Sequence, residues 1–135
     1  MISDYEILEH TADLKIRAYG KNLKELFENA MIGMFEGAKY EAGGENLKRE
    51  IKISSFDLPS LLIDFLSEAL YQSEINLEVY NKIQFKKFDE KNLEGILLGE
   101  KLKRMGVQIK GVTYHDLDIH QEKDGIWQAA ILFDI

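Results

Sequence analysis

Two stretches of the chain carry the helical period. Leu23, Leu26, Phe27, Ala30, Met31 and Met34 recur at spacings of three and four, which places them on one face of a helix. Asn22 stands where an N-cap is needed and Glu25 follows three residues later, the spacing of a capping box. In the second stretch, Leu58, Leu61, Leu62, Phe65, Leu66, Ala69 and Leu70 form a wide apolar stripe. Asp57 can cap this helix. Pro59 falls in its first turn, where a missing N–H costs nothing.

Elsewhere the period is two. Residues 5–8, 13–19, 49–55, 76–86, 92–100, 106–120 and 126–134 read as strands. In 13–19, Leu14, Ile16 and Ala18 alternate with Lys15, Arg17 and Tyr19, as in a half-buried strand. Gly37, Gly43 and Gly44 predict a loop over 36–48. Asp124-Gly125 predicts a tight turn, so the last two strands form a hairpin. The order ββαβαββββ is that of an α+β fold, with two amphipathic helices packed on one face of a mostly antiparallel sheet. A length of 135 residues suits a single domain, 1–135.

The pattern ends unusually. Trp127, Ala129, Ile131 and Phe133 share one face, so burial anchors the final strand. Asp134 is set into that apolar run, beside the α-carboxylate of Ile135. Two anionic groups so close repel each other, and a carboxylate at the rim of a core needs a cation or N–H donors. A divalent ion or a lysine would serve. Oxygen-only ligands select a hard ion, Mg²⁺ or Ca²⁺, with Mn²⁺ as a third candidate.

Charge changes the picture further. The net charge is −7, which disfavours strong direct binding to nucleic acid. It is unevenly spread. Residues 1–13 hold Asp4, Glu6, Glu9 and Asp13 with no Lys or Arg, and residues 111–135 hold five acids against Lys123 alone. Residues 82–110 hold eight basic residues against four acids. Two acidic ends and a basic middle would suit a cation site built from the ends. There is no cysteine, which excludes disulfides, thiol catalysis and thiolate metal sites. With no apolar run long enough to span a bilayer and an acidic N-terminus unlike a signal peptide, a cytoplasmic location is expected.

Candidate chemistry is sparse. His10, Thr11 and Asp13 cluster before an alternating strand. Asp13 can face a cleft at the strand's mouth, or it can satisfy backbone N–H groups in a turn. Lys110 lies among apolar neighbours and can balance the carboxylates, contact a phosphate, or face solvent. His115 with Asp116 and Asp118 matches no trusted metal-ligand spacing. No phosphate-binding glycine loop, nucleophile elbow or zinc-helix motif occurs. No nucleophile–base–orienter set can be assembled, so no catalytic residue is assigned and stand-alone metal-dependent hydrolysis is not expected.

These residues match a known family. HTADLKIRAYGKNLKELFENAMIGMF, DLPSLLIDFLSEALY, IKGVTYHDLDI and WQAAILFDI resemble, in order, four segments of the archeases, over nearly the whole chain. Gly111 stands where that family usually has Ala. The resemblance implies a cytoplasmic, non-catalytic accessory protein of the tRNA-splicing RNA ligase. Such a protein promotes guanylylation of the ligase histidine and repeated turnover in tRNA splicing and RNA repair. It implies a divalent-metal site of Asp13, Asp134 and the main-chain oxygen of Ile135. Lys110 would be the residue that activates the ligase, and His10 and His115 would be supporting residues. A chaperone or specificity modulator of RNA-modifying enzymes is the alternative role that the family suggests.

Overall fold

The computed structural model describes residues 4–8 and 13–135. Its elements are β1 (Tyr5–Leu8), β2 (Asp13–Gly20), α1 (Leu23–Gly37), β3 (Glu41–Ser54), α2 (Leu58–Asn76), β4 (Glu78–Phe88), β5 (Asn92–Arg104), β6 (Gly111–Gln121) and β7 (Trp127–Asp134). The class and the order are those the sequence predicts. The strands divide between two antiparallel sheets, β1-β2-β7-β6 and β3-β5-β4. Both helices touch both sheets: α1 meets β1, β2 and β7 on one side and β4 on the other, and α2 meets β6 as well as β3, β4 and β5. The helices therefore form a layer between two sheets, not a cover on one.

Burial explains the difference. Around α1, Leu26, Phe27, Asn29, Ala30, Met31, Gly33, Met34 and Phe35 are all buried, more of the helix than one apolar stripe would cover. Phe27 stacks against Phe65 of α2 at 5.6 Å and edge-on against Phe88 of β4 at 5.1 Å, so one side chain joins three elements. Fully buried Phe27, Phe35, Phe65 and Phe133 each contribute about 1.5–3 kcal/mol through burial.

The caps form as the sequence predicts. Asn22 accepts from the Glu25 N–H at 2.9 Å, and the Glu25 carboxylate reaches back to the Lys21 N–H at 3.2 Å. Asp57 accepts from the Ser60 N–H at 2.8 Å. Several boundaries differ, two of them instructively. The segment read as a loop over 36–48 is strand from Glu41, because the pairing with β5 slips between Ala42 and Asn46 and the intervening residues bulge out. Gly44, at φ 98°, takes the left-handed turn of that bulge. The strand read over 76–86 begins only at Glu78, because α2 continues to Asn76 and closes on Leu77 in the left-handed region. The hairpin between β6 and β7 turns at Gly125, φ 90°.

The uneven charge of the sequence maps onto the layers. Strands β1, β2, β6 and β7 carry Glu6, Asp13, Asp116, Asp118 and Asp134 against Lys15 and Arg17. Strands β4 and β5 carry Lys82, Lys86, Lys87, Lys101, Lys103 and Arg104 against Glu78, Glu94 and Glu100. Among the described residues, no helix is long and apolar enough to cross a membrane.

The basic sheet contains one buried carboxylate. Glu78 is 1% exposed and takes two hydrogen bonds from Arg49, at 2.8 and 2.7 Å, and one from the Tyr80 hydroxyl at 2.7 Å. The Arg49 contact, ahead of the opposing effect of burial, holds the Glu78 carboxyl below its ordinary range. Its stabilising effect is therefore complete above the ordinary glutamate range and is lost as pH falls through the lowered value. Arg49→Ala should lower the urea midpoint of unfolding at neutral pH, because the charge-assisted bonds are lost and the buried Glu78 carboxylate is left, among the described residues, with the Tyr80 hydroxyl alone. The deficit relative to the parent protein should shrink as the pH is taken below the ordinary glutamate range.

Candidate functional site

The inward faces of β2 and β7 are apolar, and this fixes what faces outward. Leu14, Ile16, Ala18, Ala129, Ile131 and Phe133 are buried. Alternation then turns Asp13, Lys15, Arg17 and Tyr19 outward on β2, and Gln128, Ala130, Leu132 and Asp134 on β7. In the antiparallel register Asp13 stands directly opposite Asp134, and Gly111 of β6 stands opposite Asp134 on its other side. The two acidic ends of the sequence therefore meet. Cross-strand partners have Cβ atoms about 4.5–5.5 Å apart, a spacing at which like charges destabilise each other.

Asp134 is exposed, and its side chain accepts no hydrogen bond or ion pair from any described residue. Its main-chain oxygen accepts from the Lys110 N–H at 2.7 Å. Ile135 is 38% exposed, at the rim of the core and not within it. A Cβ added at Gly111 would meet no described residue within 4 Å, so the described residues leave space beside Asp134. Among the described residues, no three His, Asp or Glu side chains are grouped to hold a metal ion. A site here would rest on two carboxylates and main-chain oxygen, a donor set that fits a hard divalent cation and suits no soft one.

The other sequence-predicted residues are placed as follows. His10 and Thr11 lie outside the described residues. Lys110 is exposed and precedes β6; the strand read from 106 begins at Gly111, so Gly111 and not Lys110 shares the face of Asp134. Lys110 is tied to the acidic pair through its main chain. His115 is carried outward on a bulge of β6, where the register with β7 slips between Thr113 and Asp118 and Asp116 sits at φ 57°. Among the described residues, its one ion pair is with Asp116, at 3.5 Å. A concavity of about 370 Å³ lies on the other sheet, lined by Leu47, Lys48, Asn81, Lys82 and Leu98 among others, and contains none of these residues.

A cluster that the sequence reading missed lies further along β6. His120 is held between Asp118, at 2.7 Å from Nδ1, and Glu122, at 2.8 Å from Nε2. Gln128 of β7 also donates to Glu122, at 3.2 Å. Both ring nitrogens can donate only in the imidazolium form, so the two carboxylates favour the charged ring. Glu122 first and Asp118 second raise the His120 pKa above its ordinary value of 6.5. The signal was present as the period-two spacing of Asp118, His120 and Glu122.

A family model described as the Archease protein family matches residues 5–135. The archease of Methanosarcina barkeri is 42% identical, over 97% of this chain and 95% of its own length. That of Pyrococcus furiosus is 34% identical, over 97% of this chain and 98% of its own length. The solution structure of Methanobacterium thermoautotrophicum protein 1598 superposes with a TM-score of 0.69 at 29% identity, covering 98% of this chain and 99% of that one. The crystal structure of a Thermotoga maritima archease superposes with a TM-score of 0.70 at 21% identity, covering 95% and 94%, a likeness of fold.

The His120 contacts stabilise the folded chain fully below the ordinary histidine value and lose that effect as pH rises through the raised one. NMR titration of the His120 ring should give a midpoint above 6.5, and Glu122→Gln should move it back toward 6.5. An unshifted midpoint in the parent protein would contradict the contact geometry.

Proposed function

The chain belongs to the archease family, and from that premise we propose that it is a non-catalytic activator of the tRNA-splicing RNA ligase. In this reading it promotes guanylylation of the ligase histidine and repeated turnover. It works through a divalent ion, Ca²⁺ or Mg²⁺, held by Asp13, Asp134 and the main-chain oxygen of Ile135. The observation that carries the reading is the cross-strand pairing of Asp13 with Asp134. Two opposed carboxylates present hard-oxygen donors from adjacent strands, the donor type that a divalent cation of this class takes. A bound ion would supply positive charge to phosphate oxygens at the ligase's nucleotide site.

The chain's own residues have definite parts in this scheme. Asp13 and Asp134 present oxygen from adjacent strands of a rigid sheet. Lys110, anchored to Asp134 by its N–H, projects an exposed ammonium that can approach a phosphoryl oxygen. Transfer of a nucleotidyl group depends mainly on positioning and on electrostatic stabilisation of the developing charge, and these groups provide both without a nucleophile of their own.

With purified ligase, Asp134→Ala and Lys110→Ala should each reduce stimulated guanylylation by about 100-fold or more, while circular dichroism shows the fold retained. Normal stimulation by both variants would overturn the proposal. A chaperone role, in line with the words "possible chaperone" used of the Thermotoga maritima archease, would instead protect unrelated clients from aggregation and be insensitive to chelator.

The metal site has a separate check. A short tag fused after Ile135 should weaken divalent-ion binding in calorimetry, and the same tag at the N-terminus should not. Equal affinity in the two proteins would remove Ile135 from the site.

A further inference from the structure

The outer face of the β1-β2-β7-β6 sheet is laid out in rows by its register. The first described row is Asp13, Asp134, Gly111. The next is Leu8, Lys15, Leu132, Thr113, followed by Glu6, Arg17, Ala130, Asp118. The described cations on this face are Lys15, Arg17 and His120. Arg17 is engaged by Glu6 at 3.6 Å, and His120 by Asp118 and Glu122. Lys15 forms no hydrogen bond or ion pair with any described residue, although it lies one row from the two carboxylates.

That row step is two residues along β2, about 7 Å, too long for the ammonium to be assumed in contact with Asp13 or Asp134. Leu132 lies between Lys15 and Thr113 and is 5% exposed, so the floor of this row is apolar. The Thr113 hydroxyl oxygen accepts from the His115 N–H at 3.2 Å, which leaves the hydroxyl proton available to a ligand. A pair of carboxylates suited to a metal thus stands beside a hydroxyl donor and a cation that no described residue pairs, over an apolar floor and next to Gly111, which no described residue crowds.

We propose that Lys15, assisted by the Thr113 hydroxyl, forms a subsite for a polyphosphate chain whose neighbouring phosphate is bound by the metal at Asp13 and Asp134. This rests on the metal site of the proposed function and names the ligand class it would take. A polyphosphate carries successive anionic groups along a chain, which matches a metal in one row and an ammonium in the next. The carboxylates repel such a ligand in the absence of the ion, so binding must depend on the divalent cation. Lysine is a point charge with no fixed fork, and it suits a phosphate approaching from the side of the sheet.

The test is calorimetry of the full chain with Mg²⁺ alone and with inorganic pyrophosphate in Mg²⁺. Lys15→Ala should weaken pyrophosphate binding at least tenfold, with partial recovery in Lys15→Arg and a smaller loss in Thr113→Val. Binding of Mg²⁺ alone should be unchanged or tighter in Lys15→Ala, because a like charge has been removed from beside the site. A lysine that merely neutralised the carboxylates would also tighten Mg²⁺ binding on removal, but would leave pyrophosphate affinity unaltered. Equal pyrophosphate affinity in the parent and Lys15→Ala overturns the subsite. So does binding that persists in chelator or in Asp134→Asn. A parent protein that binds Mg²⁺ but not pyrophosphate overturns the subsite and leaves the metal reading intact, whereas absence of Mg²⁺ binding removes both.

Discussion

The register between β2 and β7 is the constraint on which the site depends. Leu14 faces Phe133, Ile16 faces Ile131 and Ala18 faces Ala129, all of them buried. A slip of one residue would turn every one of these side chains toward solvent, so the core tolerates a single alignment. That alignment fixes the outer face as well. Asp13 and Asp134 are brought together because their apolar neighbours must be buried, and the cost of opposing two carboxylates is small against the burial of Ile16, Ile131 and Phe133.

The helix layer makes this register rigid. Gly33 and Gly37 of α1 lie against Ile16 and Leu14, at distances where even a methyl group would press on them. The buried Asn29 amide donates to the Tyr19 carbonyl at 2.7 Å, and ties α1 to the far end of β2. Glu28 accepts from the Ile83 N–H at 2.9 Å, which connects the same helix to the opposite sheet. One helix thus holds both sheets, and the outward rows of the acidic sheet inherit its stiffness.

Much of this was legible in the sequence because it is carried by local periods. The stripe from Leu58 to Leu70, the caps at Asn22 and Asp57, and the alternation through Ile16 and Ile131 each identify their element without reference to the rest. The pairing of the acidic ends was legible as charge asymmetry and as an aspartate out of place in an apolar strand. Features set by long-range pairing were not legible. The bulge at Gly44 depends on a slip against β5, and so reads as a loop. The division into two sheets depends on α1 being apolar on more than one side, which an intermediate residue such as Gly33 conceals. Lys15 and His120 were within reach of period-two reasoning, since each shares a face with an acid two residues away. His120 finds its two partners two residues away on either side, whereas Lys15 has none among the described residues.

The separation of charge between the two sheets has a consequence for encounter. A molecule with acidic strands on one side of its helices and basic strands on the other carries an electric dipole from one sheet to the other. In the field of a highly charged macromolecule such a body rotates before it touches. A positively lined cleft would draw the carboxylate face forward and leave the lysine-bearing sheet trailing. Orientation of this kind raises the fraction of productive collisions and fades as added salt shortens the reach of the field.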